Sequence, residues 1–346
     1  MRGVGVDLSM RYELTAQQRV AKELIRSDLR FLFTILKNRD SIKSNYIVSM
    51  MPYQSLIIDG AESWITAMDN SAPGVIDAPR FTQEEKHFYD AARQSIKLWE
   101  MPYEEVYTLL RERYEESDQY FSSLCKPIAK YLRLYDIFGA DLTEDNHFCG
   151  NTILDALYLP GYDYTDSNYG PNLRDMAVIG GKYIPVFDAM EAYTISGNLH
   201  FRYQDYGGFV KSPVGNKFSY RFVLFSILCQ VNFVLRAVDQ FVVPDVPTKL
   251  RFAYILYYYL CDILPQINET HDTSFTLDRG FCLKDFRNAM AHYKVGVFLK
   301  EHEILPEDPM FGMTQKAFAA DFYETKRKIM GELSSLACQL EKFLGV

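Results

Sequence analysis

Cysteine is sparse and unpaired by motif. The six cysteines at 125, 149, 229, 261, 282 and 338 are scattered over 346 residues, with no C-x-x-C. Most sit in apolar, helix-like segments, where a free thiol behaves as a small hydrophobe. That usage suits a reducing cytosol. The opening MRGVGVDLSMRYEL holds no apolar core of signal-peptide length. Long hydrophobic runs are missing too. The runs 222–235 and 252–264 are about 14 and 13 residues long, too short to span a bilayer, and Ser226, Gln230 and Asn232 interrupt the first. Both read as buried core helices. These absences point to a cytoplasmic protein with no membrane partner.

Positive charge is also short, with 37 Lys+Arg against 45 Asp+Glu and a net charge of −8. That argues against a general nucleic-acid coat protein but leaves room for a small, local RNA site. Residues 216–346 carry 15 Lys+Arg against 15 Asp+Glu, so residues 1–215 hold the whole acidic excess.

The familiar catalytic signatures are absent. There is no G-x-S-x-G, no H-E-x-x-H and no complete phosphate loop. Gly180-Gly181-Lys182 resembles a piece of such a loop but lacks the first Gly at the right spacing and the Ser/Thr after Lys. His147-Phe148-Cys149 has the wrong spacing for a zinc knuckle, and no second pair complements it. His271-Asp272 reads as a solvated loop after a helix end. Glu84-Glu85, Glu104-Glu105 and Glu115-Glu116 read as exposed helix acids. Lys326-Arg327-Lys328 reads as a solvated helix face or the rim of a cleft. No metal and no cofactor is called for.

What is abundant is apolar and aromatic. Hydrophobic residues make up 48% of the chain, with 25 Tyr and 24 Phe, enough for a substantial core. The chain divides into three stretches. Residues 1–140 read as a helical region of unknown role. Leu24, Ile25, Leu29, Leu32, Phe33 and Leu36 recur at helical spacing. Thr82 with Glu85 forms a capping-box signature, and Pro102-Tyr-Glu-Glu reads as another helix start. Residues 71–79 read as a loop. Residues 141–215 are rich in Gly, Asn, Asp, Tyr and Pro and read as a β-like insertion or a long functional loop. Within them, 193–196 and 199–203 are expected to pair around Gly197-Asn198. Residues 216–346 return to helix, with spans expected near 218–241, 248–264, a third carrying residues 287–292, and 314–344. A short strand is expected at 295–299. The fold class is therefore mainly α, closing in a helical bundle.

The third helix carries the one gathering of polar groups suited to phosphate chemistry: Arg287-Asn288-Ala289-Met290-Ala291-His292. Asn288 and His292 lie four apart, on one helix face. Arg287 lies roughly 140° around the axis from His292. Its long side chain either curls back to the same patch or reaches a partner helix. A cation, an amide and an imidazole in reach of one another can bind a phosphodiester, orient it and move protons.

This Arg-x4-His segment, with Asn after the Arg and two long apolar helices before it, resembles the HEPN superfamily. The resemblance covers only about the last 130 residues. It implies a HEPN-like bundle that pairs as a homodimer, with two motifs facing one composite cleft. It further implies a metal-independent endoribonuclease acting on RNA as a toxin or phage-defence effector, with an inhibitor or sensor as partner. Arg287, Asn288 and His292 are the expected catalytic residues. Lys284, Tyr293 and Lys294 are the expected RNA contacts. An imidazole with a pKa near 6.5 can take the 2′-OH proton or protonate the leaving 5′-oxygen. Arg offers a fixed forked cation for the phosphorane-like transition state. The rival expectation is a non-catalytic HEPN-like scaffold that dimerises or binds nucleotides or a partner, in which the same trio ties helices together.

Overall fold

The first helix opens on a capping box. The Thr15 hydroxyl accepts from the backbone N–H of Gln18, and the Gln18 side chain accepts from the N–H of Thr15. From there α1 (Ala16–Lys37) buries Val20, Leu24, Ile25, Leu29, Leu32 and Ile35 along one face. The computed structural model describes residues 13–346 apart from 39–41, 43, 44, 72, 75, 166–168, 198, 199, 306, 307 and 309. After α1 come α2 (Tyr46–Ser49), α3 (Met51–Ser71), α4 (Gln83–Gln94), α5 (Tyr103–Ser123) and α6 (Pro127–Tyr131). Then follow β1 (Asp136–Thr143), β2 (Phe148–Asn151), α7 (Thr152–Leu157), α8 (Tyr169–Ile179) and β3 (Phe201–Gly207). The chain closes with α9 (Tyr220–Asn232), α10 (Asp239–Phe241), α11 (Pro247–His271), α12 (Lys284–His292), α13 (Val295–Phe298), α14 (Phe311–Phe318) and α15 (Phe322–Leu344). A π-helical stretch, Phe233–Val238, joins α9 to α10.

The fold is mainly α, with one antiparallel three-stranded sheet of order β2-β1-β3 among the described residues. α9 and α11 are apolar nearly all round and lie at the centre, as such helices must. The helical segment Tyr220–Phe241 is long and apolar enough to cross a membrane, yet 83% of its apolar window is buried inside the fold. α15 packs on both α9 and α11, α1 packs on α11, and α3 packs on α1 and α12. The buried core runs without a break from Val20 to Leu344. α12 is thereby wedged between α11 and α3, so the motif helix packs on the N-terminal region as well as on the bundle.

Several expectations from sequence need correction. The segment 193–203 does not fold back on itself. β3 pairs with β1, and Ile195 makes a single bridge to Val242; Asn198 and Leu199, at the expected turn, lie outside the described residues. β1 begins at Asp136, inside the stretch read as helical, because Ile137, Phe138, Ala140 and Leu142 all find buried partners. Residues 295–298 form a turn of helix rather than a strand. The expected helix 314–344 is two helices. Ala319 takes a left-handed φ of 53° and Asp321 caps the second. α11 continues past 264 to His271, carrying Pro265 within it. His271 is therefore no solvated loop residue: it ends α11, bonds the Tyr103 hydroxyl at 2.6 Å and stacks on Tyr220. Lys326 is not solvated either, being held by Asp239 at 2.6 Å and by Asp245. Gly180-Gly181-Lys182 forms a 3-10 turn whose Lys182 binds Glu85 at 3.1 Å.

Candidate functional site

α12 is short, and its ends define its use. Phe286, Ala289 and Met290 face the core, and Asp285 sits in the first turn, where the helix dipole favours an acid. The helix stops at Tyr293, which adopts a left-handed φ of 51°. Such a conformation is costly for a bulky residue and persists only when its surroundings impose it. Here they do. The Tyr293 hydroxyl donates to Asp28 Oδ2 at 2.6 Å and accepts from Arg251 at 2.6 Å. The Arg251 guanidinium also lies 4.1 Å from the centre of the Tyr293 ring. Arg251 pairs directly with Asp28, both side chains being fully buried, and its Nε donates to the Met290 carbonyl at 2.8 Å. Thr248 donates to the other oxygen of Asp28 at 2.5 Å. The ring of Tyr293 lies against Gly60 of α3, where any Cβ would overlap it. Tyr293 is thus an internal anchor: its hydroxyl, expected from sequence to contact RNA, is committed inside the protein, and only its ring borders the cleft beside it.

The residue just before this anchor is His292. It is half-buried, and its Nδ1 lies 3.8 Å from Asp59 Oδ2. The other oxygen of Asp59 holds Arg93 of α4 at 2.8 Å. Burial pushes the Asp59 carboxyl upward, but His292 and Arg93 outweigh it and hold the group below the usual carboxylate range. Asp59 therefore stays ionised between an imidazole and a guanidinium, with the Nδ1 edge of His292 turned toward it.

Two open clefts of about 670 Å³ each meet at His292. Asp59, Gly60, Trp64, Arg93 and Gln18 help to line the first. Asn288, Asp285, Phe298 and Lys316 help to line the second. Both include His292 and Lys294, so these two residues form the ridge between them. Of the expected trio, then, Asn288 and His292 share a cleft wall. Arg287 does not join them. It is buried, bonds Glu100 at 3.3 Å, and lies 5.0 Å and 5.5 Å from the ring centres of Tyr258 and Tyr259. Neither cleft is lined by Arg287 or by the exposed Lys284. The 140° offset on the helix is resolved in favour of the partner helix and not of a return to the patch.

Asp59 and Arg93 were not singled out from sequence. Both come from helices far away in the chain, and neither sits in a local motif. One signal was present: Asp59-Gly60 interrupts the apolar run of α3, and a glycine inside a helix marks close approach by another element. Here that element is Tyr293 with His292 beside it.

A search for resemblance adds no second line: the chain matches no family model, no curated protein and no solved structure.

Proposed function

We propose that the chain is a metal-independent endoribonuclease of the HEPN type, cutting RNA by attack of its own 2′-OH, and that it serves as a toxin or phage-defence effector. The observation that carries this reading is His292. A half-exposed imidazole stands on the ridge between two open clefts, with an ionised carboxylate at one nitrogen and cations on either side. Asp59 would orient the ring and stabilise the imidazolium as it forms. His292 would take or give the proton of the 2′- or 5′-oxygen. Arg93 and Lys294 would stabilise the charge growing on the phosphorane-like transition state. Asn288 would hydrogen-bond a phosphate oxygen along the second cleft. Arg287, expected as the catalytic cation, becomes a positioning residue that fixes α12 against Glu100. Pairing of two bundles as a homodimer would bring a second His292 to the same RNA.

The test is cleavage of a labelled structured RNA in EDTA. His292→Ala should lower it by about 10²–10⁴-fold and Arg93→Ala should lower it clearly, and the products of the wild type should carry 2′,3′-cyclic phosphate and 5′-hydroxyl ends. A second reading is a non-catalytic scaffold, and the burial of Arg287 favours it, since the motif cation is spent inside the fold. A wild type that binds RNA tightly but never cuts it would select the scaffold.

A further inference from the structure

The end of α5 and all of α6 lie outside the core. α6 buries no residue at all. Around it Leu124 is 67% exposed, Ile128 72%, Tyr131 86% and Leu132 55%. The turn after β3 adds Phe209, 73% exposed. It belongs to the same end of the molecule, because Gly208 N–H donates to the Tyr135 carbonyl at 2.9 Å and Gly208 lies directly on the backbone of Arg133 and Leu134. Apolar side chains standing out together in this way are not the isolated surface hydrophobes every protein has.

The charge on this end is the second observation. Residues 121–134 hold Lys126, Lys130 and Arg133 and not one acid, within a chain of net charge −8. Arg133 is neutralised by Asp118 at 3.1 Å. Lys126 and Lys130, both exposed, form no ion pair among the described residues, and Lys211, two residues after Phe209, is in the same position. Protruding aromatic and aliphatic side chains with exposed, unpaired lysines on the same segments are complementary to an anionic lipid surface, which takes the apolar tips into its interface and the ammonium groups at its headgroups. A second copy of this chain docked on the same face would set lysine against lysine.

We propose that this end of the molecule docks peripherally on membranes bearing anionic lipids, with Ile128, Tyr131 and Phe209 entering the interface and Lys126, Lys130 and Lys211 at the headgroups. The proposal is independent of the His292 site, which lies on other elements, and it replaces the expectation of no membrane partner, which rested only on the lack of a bilayer-spanning run.

Flotation of the full chain with phosphatidylglycerol-containing vesicles tests it, against pure phosphatidylcholine vesicles as the comparison. The wild type should float with the anionic vesicles, stay behind with the neutral ones, and be released by high salt. Lys126→Gln/Lys130→Gln should bind roughly thirtyfold more weakly, from about one lysine-equivalent of headgroup attraction each. Tyr131→Ser/Phe209→Ser should lose binding at unchanged charge. All four positions are exposed, so the thermal melts of the variants should match the wild type. A wild type that floats with neither vesicle, or variants that float as well as it does, would overturn the proposal. So would self-association in sedimentation that Tyr131→Ser abolishes, which would assign the face to a second copy.

Discussion

Replacing Asp28 by Asn tests the internal anchor of the site. In the native chain the Asp28 carboxylate receives Arg251, the Tyr293 hydroxyl and the Thr248 hydroxyl, with no access to water. Asn keeps the shape but removes the charge, and it leaves the Arg251 guanidinium buried and uncompensated. Breaking a buried pair from one side costs about 3–5 kcal/mol. That is a large part of the roughly 5–15 kcal/mol by which a folded chain is stable. Tyr293→Phe removes only the hydroxyl shared by the pair and should cost about 1.5–3 kcal/mol, the range for a hydrogen bond to a charged group. Asp28→Leu/Arg251→Met removes both charges together and should recover most of the loss, since a buried ion pair is often replaceable by apolar residues of similar size. Urea unfolding followed by circular dichroism measures all three, together with Asp28→Leu and Arg251→Met alone. The reasoning fails if Asp28→Asn costs less than about 1 kcal/mol, or if the double variant costs the sum of its two single changes, because the three side chains would then not act as one unit.

Three further outcomes follow from the same geometry. Gly60→Ala would push a methyl into the fixed Tyr293 ring, and overpacking of this kind should lower stability by about 1–3 kcal/mol or more, read as a fall in Tm. Asp141 is buried beside Asp155, and burial pushes it up to about 6 despite the Asn45 N–H it accepts at 2.9 Å. A carboxyl that binds its proton more tightly when folded favours the folded state below about pH 4 and loses that contribution as pH rises through 6. The loss amounts to about 3 kcal/mol, and Asp141→Asn should flatten the stability profile across that window. Arg287→Lys should be less stable than the wild type, because an ammonium cannot both reach Glu100 and cover the faces of Tyr258 and Tyr259. Equal urea midpoints for the two would show that the stacked guanidinium contributes nothing.

The parts of the fold that sequence made legible are those set by local pattern. The Thr82 capping box, the apolar periodicity of α1 and the two buried helices at the centre all depend on residues close in the chain. The sheet was misread because its pairing is not local. β1 finds β3 across some sixty intervening residues, and nothing in 193–203 reveals that the better partner lies upstream. The break at Ala319 was hidden because alanine favours helix, yet here it takes the left-handed position that ends α14, its N–H donating to the Gln315 carbonyl. At the site, helical spacing placed Asn288 and His292 together and put Arg287 on another face. It could not supply Asp59 and Arg93, which belong to α3 and α4 and meet His292 only once α12 is wedged against α3.

The most direct test of the central claim is single-turnover cleavage of a labelled structured RNA in EDTA by the wild type, His292→Ala, Asp59→Asn and Arg93→Ala. The account predicts cutting by the wild type with cyclic phosphate ends, a loss of about 10²–10⁴-fold in His292→Ala, and clear losses in the other two while folding is retained. Cutting that survives in His292→Ala, or a folded wild type that binds RNA and leaves it whole, would contradict it.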